Sequence, residues 1–401
     1  TAANWLNGVP EAGEDIDLSF VSSATTIIAD TGKAFGTATM GEGVVTFTGE
    51  LKVKGFTNRE KVVVGEGSTV TIDDNVTLDD PEHRLCKTIQ AGGTLHITGS
   101  VNITSSTIFY VLRNAAQAGA IIVDGGIAVS GNGIVGWSSK VLALGEKGIS
   151  FTDNAPFLFI VDDNEVYALG ERTVLGTSGR GKFRSNNDDV FLCTTQYGSN
   201  RPATITFDGN FNGVSKSDSG SSVNSACWGH WRVTGCGKVV CTSAAKSNRG
   251  LRVYDGATLV LNPSANTFGQ DDQTFYVYNN DSGTAGGTLE VASSGKVTLT
   301  GNLSLEDGAA LGFNFTDWNT PPQLALSNGK TLTANGAVNV KISGEVWPKG
   351  GEKILTTCGG FTDDKVSLAE GAPKWAKRVY VNEDGNIVLD VKPMGTRVIV
   401  R

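Results

Sequence analysis

The sequence predicts an all-β fold, a β-solenoid in which short parallel strands stack coil upon coil. Three observations predict it. Helical periodicity is scarce, and only Arg113 to Gln117 looks briefly helical. Glycine is abundant, with 52 residues against 10 prolines in 401, and it lacks the every-third-residue period of collagen. A strand phrase also recurs along the chain, and a self-similar period of about 20–30 residues is the mark of a solenoid.

The phrase is a turn glycine, a small residue, then Thr alternating with aliphatics. It reads Gly67-Ser68-Thr69-Val70-Thr71-Ile72, Gly92-Gly93-Thr94-Leu95-His96-Ile97 and, more loosely, Gly119-Ala120-Ile121-Ile122-Val123. Later copies are Gly256-Ala257-Thr258-Leu259-Val260-Leu261, Gly286-Gly287-Thr288-Leu289-Glu290-Val291 and Gly329-Lys330-Thr331-Leu332-Thr333. Aligned on the residue after the small one, the first three sit 25 and 27 apart. The gap of 43 from Thr288 to Thr331 reads as two coils, with Ala310 between them. Each strand is too short to stand alone. In-register stacking gives it backbone partners along the long axis and puts Val, Ile and Leu on their counterparts.

The expected organisation is N-terminal entry strands over 1–39, a parallel β-helix over 40–345 and a C-terminal β cap over 346–401. The repeat blurs between 150 and 250, where Lys182 to Asp189 and Asn212 to Ser225 read as long polar loops. A cap is expected because an open solenoid end leaves unpaired strand groups, and the chain closes on a strand pattern, Thr396 to Val400.

Apolar residues make up 39% of the chain, enough for a continuous core, and charged residues only 18%. The net charge is -8 and no basic run stands out, which argues against a nucleic-acid partner. No apolar stretch is long enough for a membrane-spanning helix. Two Met and a surface rich in Gly, Thr and Asn suit an extracellular protein. The opening Thr1-Ala2-Ala3 without an initiator Met fits a processed or excised segment.

Two stretches carry a family resemblance. The opening Asn4-Trp5-Leu6-Asn7-Gly8-Val9-Pro10 and the closing Lys353 to Thr356 and Gly385 to Val391 resemble the ends of bacterial autotransporter-passenger-like and autotransporter-associated-repeat surface β-helix proteins. The resemblance implies a right-handed parallel β-helix displayed outside the cell, secreted or on a bacterial surface, as an adhesin, matrix or stalk component. Its partners would be surface glycans or other copies of itself. The specific likeness covers about a fifth of the chain, and its motifs are structural.

Candidate chemistry is thin. The adjacent carboxylates are Asp79-Asp80, Asp162-Asp163, Asp188-Asp189, Asp271-Asp272 and Asp363-Asp364, and glycoside hydrolysis needs two carboxylates across a bond. Gly269-Gln270-Asp271-Asp272 and Gly229-His230 resemble polygalacturonase elements. The histidine precedes the aspartates instead of following them, though, Trp231 replaces the closing glycine, and the Arg-x-Lys is missing. Asp162, Asp163, Asp271 and Asp272 are therefore carboxylate candidates that read first as turn residues. Asp162-Asp163-Asn164-Glu165 and Asn186-Asn187-Asp188-Asp189 offer oxygen ligands for calcium, without EF-hand or nonapeptide spacing. No other cofactor is implied.

The densest cluster is Cys227-Trp228-Gly229-His230-Trp231-Arg232. Trp228, His230, Trp231 and Arg232 are the glycan-binding candidates, as a sugar-stacking platform with polar edges; the alternative is a packed outer wall. His83 and His96 read as isolated. Of six cysteines, Cys193 and Cys241 share a pattern 48 residues apart and suggest stacked thiols. Cys227, Cys236 and Cys241 are the candidates for a bridge in an oxidising compartment. Thr-x-Thr units are scattered rather than serial, against an ice-binding face. The leading expectation is a structural or adhesive solenoid without a catalytic site. The alternative is a carbohydrate-active β-helix, a polysaccharide lyase or glycoside hydrolase, or a glycan-binding protein.

Overall fold

The computed structural model describes residues 10–393, apart from 81–83, 105–108, 111–118, 131–133, 138, 146, 152–157, 162–164, 170–172, 178–181, 186–189, 210–230, 243–250, 263–266, 269–273, 279–285 and 293. It is an all-β chain of stacked parallel strands, a parallel β-helix, and it divides into two compact units.

The first unit runs to Phe191 and adds Gln196–Gly198 and Ser225–Cys227. Three strands make one of its coils. Thr94–Ile97, Val101–Ile103 and Phe109–Tyr110 are followed by Ala120–Val123, which returns to pair in parallel with Thr94–Ile97. The phrase predicted from the sequence forms one ladder: Thr69–Ile72 pairs with Thr94–Ile97, then come Ala120–Val123, Val141–Leu144 and Glu165–Ala168. Its interior column, Leu51, Val70, Leu95, Ile121, Leu142 and Val166, is buried throughout. Each such side chain contributes about 1.5–3 kcal/mol of burial. The turns explain the glycines. Gly92 has φ +67°, a conformation that side chains resist, and a Cβ on Gly145 would stand 1.9 Å from the Asp124 carbonyl oxygen.

The second unit comprises Leu192–Thr195, Ser199–Asn224 and the chain from Trp228. One ladder stacks Thr204–Gly209, Lys238–Cys241, Thr258–Leu261, Thr288–Val291, Ala310–Asn314, Val338–Ser343 and Val366–Leu368. Its interior column runs Phe207, Cys241, Leu261, Val291, Phe313 and Ile342, all buried. A second ladder stacks Trp231–Thr234, Leu251–Val253, Thr274–Val277, Asn302–Leu305 and Leu332–Ala334. A third holds Thr267–Phe268, Gly295–Leu299 and Pro322–Leu326.

The tail changes geometry. Gly351–Ile354 and Ala376–Val381 both pair antiparallel with Ile387–Val391. The tail is joined to the parallel part by Leu324, whose N–H donates to the Leu355 carbonyl at 2.8 Å, and by Phe315 edge-on to Trp375 at 5.1 Å. The buried Thr356 hydroxyl accepts the Ile387 N–H at 2.8 Å.

Several finer expectations are corrected. Ala120, not Ile121, stands opposite Thr94, so the loose third copy is one residue out of the phrase alignment. Thr331 belongs with Leu332–Ala334 on the Asn302–Leu305 ladder, so it is no later member of the Thr288–Ala310 stack. Lys182–Ser185 is a strand paired with Leu158–Val161, not a loop. Its Lys-Phe-Arg-Ser alternation has the period of a strand, which its polarity hides. The segments 186–189, 212–225, 113–117 and 396–400 lie outside the described residues.

Candidate functional site

Arg232 sits on Trp231–Thr234 at the head of a column of polar and aromatic residues in the second unit, of which Ser304 is buried. Strand alternation puts Val233 in the core and Arg232 outside. Register then places Arg252 directly opposite Arg232, Tyr276 opposite Arg252, Ser304 opposite Tyr276 and Thr333 opposite Ser304. Two residues on, Tyr254, Tyr278, Glu306 and Asn335 form a neighbouring column, tied by the Tyr278 N–H to the Val253 carbonyl, the Glu306 N–H to the Val277 carbonyl and the Asn335 N–H to the Leu305 carbonyl.

The aromatic rings pack on one another and on the guanidiniums. Tyr254 and Tyr278 are parallel to 1° at 4.6 Å between centroids, and Tyr276 lies 5.5 Å from Tyr278. The Arg232 guanidinium stands 5.8 Å over the Tyr254 ring and that of Arg252 5.6 Å over Tyr276, within cation–π range. Tyr254 is held by a tight turn: Asp255 and Gly256 take φ 57° and 82°, and the Ala257 N–H donates to the Tyr254 carbonyl at 2.9 Å. Positive φ at both central positions is the type I′ geometry that Asp-Gly favours. At the far end Glu306 accepts from the Asn335 amide at 2.9 Å and from the Ser304 hydroxyl at 3.3 Å. Burial pushes the Tyr278 phenol up, against the pull of Arg252.

The glycan platform expected from sequence is thus only partly placed. Trp228 and His230 lie outside the described residues, and for Trp231 the backbone alone is described. Arg232 is placed among partners that the sequence reading did not name. Those partners were signalled by the alternations Leu251-Arg252-Val253-Tyr254 and Phe275-Tyr276-Val277-Tyr278, whose outward residues recur once per coil. The ring faces within the array are occupied by neighbouring rings or guanidiniums.

The carboxylate candidates Asp162, Asp163, Asp271 and Asp272 lie outside the described residues, as do Asp188 and Asp189. Of the other pairs, Asp363 begins a single 3-10 turn and accepts the Val381 N–H at 2.9 Å. Glu165, at the end of one calcium candidate, accepts the Tyr167 hydroxyl at 2.9 Å. Among the described residues no three His, Cys, Asp or Glu side chains gather as a metal site, and no helix is long and apolar enough to cross a membrane.

His96 is not isolated, as the sequence suggested. Its Nε2 lies 2.8 Å from Asp124 Oδ2 on the next coil, and beside it the Thr98 hydroxyl donates to Asp73 at 2.7 Å. Lys52 reaches Asp73 at 3.0 Å. The Thr98 bond first, then Lys52, hold Asp73 below the usual carboxylate range. A His–Asp pair becomes catalytic when it activates a hydroxyl or thiol, whereas the Thr98 proton here is committed to Asp73.

The thiols also differ from expectation. Cys193 ends a strand and takes the Thr234 hydroxyl at 3.8 Å, while Cys241 lies between Phe207 and Leu261 in another ladder, so the two do not stack. Cys86, Cys236, Cys241 and Cys358 carry free thiols. Cys227 lies outside the described residues. Burial pushes Cys86 and Cys241 up to about 12 and Cys358 to about 11, inert values for nucleophiles.

No family model matches the chain, and no curated protein or solved structure matches it.

Proposed function

We propose that this chain is an extracellular structural or adhesive solenoid, secreted or displayed on a bacterial surface in the manner of autotransporter-passenger-like β-helix proteins. The observation that carries the reading is the division of labour along each strand. Inward positions build continuous apolar columns such as Leu259, Leu289, Leu311 and Val340, while the described charged groups are spread over the outer walls in short cross-coil pairs. Rigidity and a repeating lateral surface are what such a molecule delivers. A polysaccharide-cleaving β-helix would instead set acid and base carboxylates across one groove.

The test is a polysaccharide-degradation screen on purified protein, together with protease shaving of intact producing cells. Absence of cleavage and release of the chain from the cell surface are expected. Cleavage of any polymer that is lost in Asp162→Asn or Asp271→Asn, or a chain protected inside the cell, contradicts the reading.

A further inference from the structure

The first coil leaves one stretch of strand with a single neighbour. Thr25 to Ala29 pair in parallel with Val45 to Gly49, while Ile16–Leu18 reaches only Ala38 to Met40. Among the described residues no other strand pairs with Thr25 to Ala29. The Thr25 N–H donates to the Val44 carbonyl at 2.9 Å, and the Ile27 carbonyl accepts the Thr48 hydroxyl at 3.4 Å. Backbone groups of alternate residues point to opposite edges of a strand. Thr26 and Ile28 therefore direct both N–H and C=O to the open edge, where an added strand would satisfy them. Their side chains are exposed, that of Ile28 to 79%. Ile27 faces inward at the head of the column Phe47, Val64 and Ile89. Those three are buried, whereas Ile27 is only half-buried. The usual protections of an edge, a proline, a bulge or a charge, are missing from Thr25-Thr26-Ile27-Ile28-Ala29.

We propose that this edge is an interface between two copies of the chain, which add strand to strand, head to head, about a two-fold axis through Ile27. In antiparallel pairing centred there, the Thr26 N–H donates to the Ile28 carbonyl of the second copy, and that copy's Ile28 N–H donates back to the Thr26 carbonyl. Symmetry repeats both bonds. Ile27 meets its own counterpart in the non-hydrogen-bonded pair between them, which carries the apolar column across the joint. On the outer face Ile28 packs beside the opposing Thr26, a favourable cross-strand pair. Three features select a second copy as the occupant. The pairing is self-complementary, as a two-fold interface must be. The stretch carries no charge, so no like charges face each other across the axis. A head-to-tail stack would need an open last rung, and there the Leu355 carbonyl of the tail already takes the Leu324 N–H. The proposal needs only the stacked strands and not the extracellular reading, so the two stand or fall separately.

Sedimentation of the whole chain over a concentration series is expected to show a monomer–dimer equilibrium. Ile28→Pro removes an N–H that faces the open edge, where proline is tolerated. Ile28→Lys sets a charge close to its own symmetry mate. Each is expected to weaken the dimer about tenfold or more, with the melting temperature of the dilute monomer unchanged. Should Ile28→Pro lower that temperature, Ile28→Lys, at a side chain open to solvent, decides alone. Ile354→Lys, at an exposed apolar position in the tail, is expected to leave association unchanged. The register is tested by Ile27→Cys, made together with Cys236→Ser to remove the exposed native thiol. Mild oxidation should bridge two copies at position 27, since Cα atoms of a non-hydrogen-bonded pair stand about 4.5 Å apart. Thr25→Cys in the same background should not bridge, because its two copies lie about 14 Å apart along the strands. A chain that stays monomeric at every concentration, a dimer that survives both Ile28 changes, or bridging at 25 in preference to 27 overturns the proposal.

Discussion

Tyr254 and Tyr278 lie in register on neighbouring coils, their rings parallel to 1° and 4.6 Å apart, close to the strand spacing itself. The backbone repeat thus sets the aromatic contact. Such pairs contribute about 0.5–1.5 kcal/mol beyond area burial. A double-mutant cycle of Tyr254→Leu and Tyr278→Leu, read by chemical denaturation, should return a coupling in that range. Strict additivity would mean that the rings do not interact.

The interior columns predict a larger effect. Phe313 is fully buried between Val291 and Ile342. Phe313→Ala should cost about 3–5 kcal/mol, because coils locked by neighbours above and below collapse poorly around a cavity. The denaturation midpoint checks it; a cost under about 1 kcal/mol would contradict the packing.

How much of this was legible in the sequence depended on whether a local phrase was enough. Gly67 to Ile72 and Gly92 to Ile97 announced stacked strands, and those two copies pair residue for residue. Assignment to a particular ladder was not legible. Thr288 and Thr331 begin similar phrases yet lie in different ladders, and so do Cys193 and Cys241, since every wall of a coil uses the same strand grammar. The partnership of His96 with Asp124 was hidden for a similar reason. It crosses from one coil to the next, and coil length varies. The Arg232 array showed the same limit: its members are far apart in sequence, and only the register of five strands brings them to one wall.

Glu290 gives a pH signature. Burial raises its carboxyl, opposed by Lys238 and Lys341. The folded state therefore holds this proton more tightly than the unfolded chain. The Glu290 contribution to stability is present below the ordinary carboxylate range and is lost as pH rises through the raised folded value. Glu290→Gln should remove that loss, so its melting temperature relative to the wild type should climb across mildly acidic pH. A constant difference at all pH values would show no such coupling.

Thiol reactivity separates surface from core. Cys236 is exposed, whereas Cys241 is buried with its thiol pushed up to about 12. Mass-spectrometric mapping after iodoacetamide treatment should find Cys236 alkylated in the native protein and Cys241 only on unfolding. Equal rates for the two would contradict the placement of Cys241 between Phe207 and Leu261.

The most direct test of the stacked-coil account is a pair of electron-spin distances measured within the first unit. Spin labels carried on bioorthogonal amino acids at Glu50 and Glu165, and at Thr69 and Glu165, leave the native cysteines untouched. Five parallel register steps separate the first pair and four the second. The expected backbone separations are about 24 Å and about 19 Å, one strand spacing apart. Distances that match these two values uphold the solenoid. A shorter separation for Glu50 and Glu165 than for Thr69 and Glu165, as hairpin or sandwich pairing would give, contradicts it.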